Sequence, residues 1–185
     1  MVLSNMGDND AGPRDVFAPV LAARGYTVLT YSFRYPRRTS AFTPEFAAAT
    51  VTDLRAAVAL VRQRGGGRLV LIGASLGGMA TAKVAGSVRA DAVVIISAPA
   101  ELPAYGFMVD PAEIAGLAAP SLFVSSVDDS VVPLGQTTGL YDRTPGPKQL
   151  QTYPGGAHGV QILATANGDA LRQRLVEFVS ANAPP

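Results

Sequence analysis

The chain has 185 residues, 48% hydrophobic and 16% charged, with 15 Lys and Arg against 14 Asp and Glu for a net charge of +1. That is enough apolar material for a core, too little length for two comfortable domains, and too even a charge for nucleic acid or an anionic membrane to be the main partner. The absence of cysteine removes disulfides, thiolate catalysis and thiolate metal sites, and a single histidine argues against zinc.

Residues 1–4 (Met-Val-Leu-Ser) read as a short opening strand. The first ten residues, MVLSNMGDND, carry no basic n-region and no long apolar h-region, and no stretch nears the ~18 apolar residues of a bilayer span, so a cytoplasmic protein is expected. Residues 13–24 hold Phe17, Val20 and Leu21 at helical spacing and stop at Gly25. A strand follows at 26–33. The clearest helix starts after Thr43, a candidate N-cap, with Pro44 in its first turn. Val51, Leu54, Val58 and Val61 form one stripe along it, and Gly65 to Gly67 end it. Strands at 68–73, 91–97, 121–126 and 148–153 then alternate with helices at 76–86, 134–142 and 164–181. The last of these turns Leu171, Leu175, Phe178 and Val179 inward. The strands are near-continuous runs of Val, Ile and Leu, as parallel strands covered on both faces should be. The expected fold is a three-layer α/β arrangement: a doubly wound, mostly parallel sheet of about six strands, in one domain over residues 1–185.

Three smaller signals carry nothing. DNDAG lacks the third acidic position and the distal glutamate of a calcium loop. RYPRR is a small basic cluster that reads as a solvated loop. RGGGRLV precedes a strand, whereas a dinucleotide fingerprint follows one. No cofactor and no metal is expected.

Chemistry is expected at LIGASLGG, residues 71–78. Gly73-Ala74-Ser75-Leu76-Gly77 fits G-x-S-x-G between a buried strand and a helix, the context that pattern requires. A strand-to-helix turn this tight strains the serine backbone, exposes its hydroxyl at the C-terminal edge of the sheet, and leaves no room for side chains two residues away. It also sets the Leu76 N–H at a helix N-terminus, where it can donate to a developing oxyanion. In isolation the same residues would also suit a small-residue contact of helix on sheet.

A serine hydroxyl is a weak nucleophile that needs a base, and the base needs an orienting carboxylate. The one histidine, His158, lies in the glycine-rich loop YPGGAHG after the last strand, at the sheet edge that also bears Ser75. The carboxylate candidates, Asp128 and Asp129 in SSVDDSVVP, follow strand 121–126 at that same edge. Adjacent residues cannot both point into one site. The form D-x-x-V-P from Asp129 to Pro133 favours Asp129, and Asp128 is then a solvated turn acid.

With the elbow GASLG, the DSVVP loop and the AHG loop in the order Ser, Asp, His, the chain resembles the α/β-hydrolase superfamily over essentially its whole length. The resemblance implies Ser75 as nucleophile, His158 as base and acid, and Asp129 as orienting acid. It implies an oxyanion hole built by the Leu76 N–H and by a second backbone donor, Met6 or Gly7, in the loop after the first strand. Four features depart from the family pattern. Asn5-Met6 stands where many members have His-Gly. SFRYPRRTS keeps Arg34 and Ser40 of the Asp-x-Arg-Gly-x-Gly-x-Ser loop but not its glycines. The chain opens on what looks like the third strand, as in a minimal six-stranded form or a chain trimmed at its N-terminus. No large cap is present: only 98–120 separates the strands at 91–97 and 121–126, with one short helix expected there. Tyr105, Phe107 and Met108 in that stretch would line the lip of an apolar acyl pocket or be ordinary packing.

The expected function is a serine hydrolase of small to medium acyl esters, with a small-molecule ester as its partner. Thioesterase or acyltransferase chemistry on the same triad, and a non-catalytic binding role for the same cleft, are the alternatives.

Overall fold

The computed structural model of the chain describes residues 2–6, 17–34, 43–65 and 67–185. Six strands form one sheet: β1 (Val2–Met6), β2 (Val28–Thr30), β3 (Val70–Ala74), β4 (Ala92–Ile96), β7 (Ser121–Ser126) and β8 (Lys148–Tyr153). Their spatial order is β2-β1-β3-β4-β7-β8, and every neighbouring pair is parallel. A parallel sheet needs a crossover between neighbours, and helices supply them. On one face α2 (Pro44–Gln63), α3 (Leu76–Ala85), α4 (Pro111–Ala115) and α5 (Leu134–Arg143) pack over a core containing Leu54, Leu71, Met79, Ile95, Phe123 and Leu140. On the other, α1 (Ala18–Ala22) and α6 (Gly168–Asn182) cover Ile72, Val94, Ile96 and Val124. β3, β4 and β7 are buried along their whole length, which explains their unbroken apolar runs.

The expected boundaries hold most closely in the C-terminal half of the sheet and less well toward the start of the chain. β7 and β8 match the expected strands residue for residue. Pro44 opens α2 and the Thr43 hydroxyl accepts the Phe46 N–H at 3.2 Å, so the expected cap is present. The first strand runs on through Asn5 and Met6, because both pair with β3, opposite Gly73 and Ala74. The last helix starts later than its apolar pattern suggests. A 3₁₀ segment, Gly159–Ala164, precedes it, and Thr165 is extended, with ψ at 178°. The helix at 13–24 is described only from residue 17 onward.

The stretch between β4 and β7 holds a two-residue hairpin, β5 (Glu101–Leu102) and β6 (Phe107–Met108), and then α4. Lys83 of α3 clamps it, reaching the Met108 carbonyl at 2.6 Å and Glu113 at 2.7 Å, and its ammonium stands 5.5 Å from the centre of the Phe107 ring. Among the described residues no helix is long and apolar enough to cross a membrane.

Candidate active site

Ser75 links β3 to α3 with φ at +54° and ψ at −124°, outside the regions comfortable for a residue with a Cβ. Sterics hold it there. A Cβ on Gly73 would stand 2.3 Å from the Gly77 carbonyl oxygen and 2.4 Å from Thr81 Oγ1, so no side chain fits at that position. The Ser75 N–H donates to the Ile96 carbonyl at 2.8 Å, tying the turn to the end of β4. Leu76 opens α3, and the first N–H groups of a helix have no intrahelical acceptor.

Asp129 and His158 meet at the same edge. Asp129 follows β7; its side chain is fully buried. Its Oδ1 accepts the N–H groups of Val131 and Val132, each at 3.0 Å, so Asp129 is also the turn former of its own loop. His158 Nδ1 lies 2.9 Å from Oδ2 and 3.2 Å from Oδ1. A carboxylate only accepts, so Nδ1 is the donor and Nε2 is left free to take a proton. The His158 side chain keeps 16% of its surface exposed. Asp128 is exposed and contributes its backbone instead: its N–H donates to the Gly155 carbonyl at 3.0 Å and joins the two loops. The Ser75 hydroxyl has no hydrogen-bond partner among the described residues; bonds of this kind often tighten only when substrate is in place.

The loop of His158 is fixed on both sides. The Ser126 hydroxyl donates to the Ala157 carbonyl at 2.6 Å, and the Gly159 N–H donates to Ser97 Oγ at 3.0 Å. Gly159 itself has φ at +57°, which glycine adopts without strain. Sequence reasoning missed Ser97 and Ser126. The available signal was a hydroxyl closing an apolar strand, in VVIIS and LFVSS.

The other expected residues fall out unevenly. Met6 is the last residue of β1, level with Ala74 in the register, and Gly7 lies outside the described residues. Phe107 is buried in the core and packs under Lys83, and Met108 is beside it. Phe107 thus takes the packing alternative, whereas the Met108 side chain is 46% exposed and only its carbonyl is held by Lys83, about two helical turns along α3 from Ser75. Tyr105 is half-buried against the same core. Arg34 reaches back to α2, its N–H and guanidinium both bonded to Asp53, and Ser40 lies outside the described residues. Among the described residues no group of three His, Cys, Asp or Glu is placed to hold a metal.

Comparison with solved structures finds the same architecture at low identity. An esterase of Pyrococcus furiosus superposes with a TM-score of 0.78 at 18% identity, covering 97% of this chain and 82% of that one. A monoacylglycerol lipase of Paleococcus ferrophilus gives 0.77 at 14%, covering 98% and 94%. An α/β serine hydrolase without lid from Xanthomonas campestris gives 0.74 at 20%, covering 100% and 82%. No curated protein matches in sequence. The sequence profile of the Alpha/beta hydrolase family matches residues 10–181. That match takes in the elbow and both loops that carry Asp129 and His158, and on it the chain belongs to the Alpha/beta hydrolase family.

Proposed function

We propose that the protein is a serine hydrolase of carboxylic esters in which Ser75 is the nucleophile. The observation that carries this reading is the hydrogen bond from His158 Nδ1 to a buried Asp129 at the sheet edge where Ser75 is held in a strained turn. Ser75 Oγ attacks the ester carbonyl while His158 Nε2 takes its proton. Asp129 holds the imidazole by Nδ1–H and stabilises the imidazolium that forms. The Leu76 N–H and a backbone donor from Met6 or Gly7 bind the oxyanion; losing one such donor typically costs about 10²–10³ in rate. The proton then passes from Nε2 to the leaving alcohol. Water, deprotonated by His158, cleaves the acyl-enzyme and restores Ser75.

Among the described residues, the stretch between β4 and β7 offers only a short hairpin and α4 to roof the site. Small to medium acyl esters with modest selectivity fit that opening best.

The test is hydrolysis of p-nitrophenyl acetate, butyrate and octanoate by wild type and by Ser75→Ala, beside labelling with a fluorophosphonate probe. We expect turnover and labelling in wild type only, with a loss of at least about 10³-fold in the variant. Equal, near-background rates and no labelling in either protein would overturn the reading and favour a binding role for the cleft.

A further inference from the structure

Ser97 follows β4 in a conformation that a serine rarely adopts. Its φ is +46°, it is fully buried, and its N–H donates to the Val124 carbonyl at 2.7 Å. Left-handed backbone at a non-glycine residue is costly and persists only where the surroundings over-determine it. Glycine would relieve the cost here but would carry no hydroxyl. The hydroxyl has a specific use: Ser97 Oγ accepts the N–H of Gly159, the residue directly after His158. The residue before Ser97 is equally engaged, because the Ile96 carbonyl accepts the Ser75 N–H. Two consecutive residues of one buried strand end thus bond the amide of the proposed nucleophile and the amide next to the proposed base.

We propose that Ser97 is a positioning residue that sets His158 against Ser75, acting through the Gly159 N–H. The inference rests on the esterase reading and deepens it. The bond that Ser97 Oγ makes is to backbone, the Gly159 N–H, and not to the imidazole. The Gly159 N–H is buried, so losing its acceptor leaves a donor that water cannot easily satisfy. The strand end is rigid on its other side, where Ser97 is pinned to β7. A shift of the Gly159 backbone therefore moves His158 relative to Ser75. Small misplacements of this kind are expensive in rate because proton transfer needs near hydrogen-bond geometry.

Two variants separate the hydroxyl from the backbone. Ser97→Ala removes the acceptor and keeps the strain, while Ser97→Gly removes both. We expect kcat for p-nitrophenyl butyrate to fall about tenfold in each variant with KM within about twofold, the pattern of lost transition-state geometry. We also expect faster hydrogen exchange at the Gly159 amide, followed by NMR, and a melting temperature for Ser97→Gly close to wild type. Full kcat in Ser97→Gly would show that backbone relief suffices and would overturn the proposal. Unchanged kcat in both variants despite accelerated Gly159 exchange would overturn it as well, since the bond would exist without positioning anything. Wild type that neither hydrolyses esters nor labels with fluorophosphonate would instead bring down the esterase reading, and the proposal with it.

Discussion

At the elbow the chain is confined by contact together with one backbone bond, Ser75 to Ile96, and at the histidine loop by side-chain hydrogen bonds. A Cβ on Gly73 would sit 2.3 Å from a backbone oxygen, and the buried Thr81 hydroxyl beneath it has no partner among the described residues. A Cβ on Gly159 would meet only the Ala74 Cβ, at an ordinary 3.6 Å, while the neighbouring hydroxyls of Ser97 and Ser126 are both engaged. The elbow should therefore resist added volume and ignore lost polarity. The histidine loop should do the reverse. This division suits the chemistry proposed for each. A nucleophile needs one fixed, exposed atom, which strain can supply. A base needs a chosen tautomer and direction, which only directed bonds supply.

The largest effect is expected where polarity matters most. Asp129→Asn keeps an oxygen for the Val131 and Val132 N–H groups, so the loop should fold as before. Its amide cannot play the carboxylate's part toward His158 Nδ1, and kcat should fall about 10³–10⁴-fold, read from ester hydrolysis at matched melting temperature. Asp128→Asn should stay within about twofold of wild type, because Asp128 serves through its backbone. A large loss in Asp128→Asn would reverse the assignment of the two acids.

Gly73→Ala tests the other arm. The added methyl strikes backbone on one side and Thr81 on the other, so nothing flexible can move aside. We expect about 3 kcal/mol of destabilisation, at the upper end for overpacking, seen as a clear fall in thermal midpoint by circular dichroism. Gly159→Ala should cost only about 1 kcal/mol, since the Cβ has room and the penalty is the left-handed φ alone. Its N–H to Ser97 survives, so kcat should change by less than about threefold. A Gly159→Ala loss as large as that of Gly73→Ala would erase the distinction between the two loops.

How much of this was legible in the sequence follows the same line. Steric requirements leave a local trace, and the elbow was readable because a strand, two glycines and a serine fall within a few residues. The parallel sheet was readable because burial on both faces forces continuous apolar runs in β3, β4 and β7. Hydrogen bonds between distant segments leave no such trace. Ser97 and Gly159 are 62 positions apart, and nothing near either one announces the other. Phe107 and Met108 stayed open between pocket lip and packing for a related reason. An aromatic beside a methionine reads alike at a pocket mouth and in a core, and here the two part: Phe107 is buried and the Met108 side chain is exposed. The choice between Asp128 and Asp129 rested on a five-residue form, and the geometry adds what that form could not: which of the two side chains is buried against the imidazole.

The smallest effect should carry the opposite sign. Thr81 Oγ1 is buried under the elbow without a partner, and burying an unpaired hydroxyl typically costs about 1–3 kcal/mol. Valine has nearly the same shape, and its second methyl would occupy the space the hydroxyl now fills beside Gly73. Part of the gain is lost because a methyl is slightly larger than a hydroxyl and the gap at Gly73 is tight. Thr81→Val should still be stabilised by up to about 1 kcal/mol, with ester turnover unchanged, because contact and the Ser75 N–H bond to Ile96, not the Thr81 hydroxyl, hold Ser75 in place. Chemical denaturation beside kcat would read both quantities on one preparation. Destabilisation by Thr81→Val together with lost turnover would mean that the elbow, too, relies on a side-chain hydroxyl, and the contrast with the histidine loop would fail.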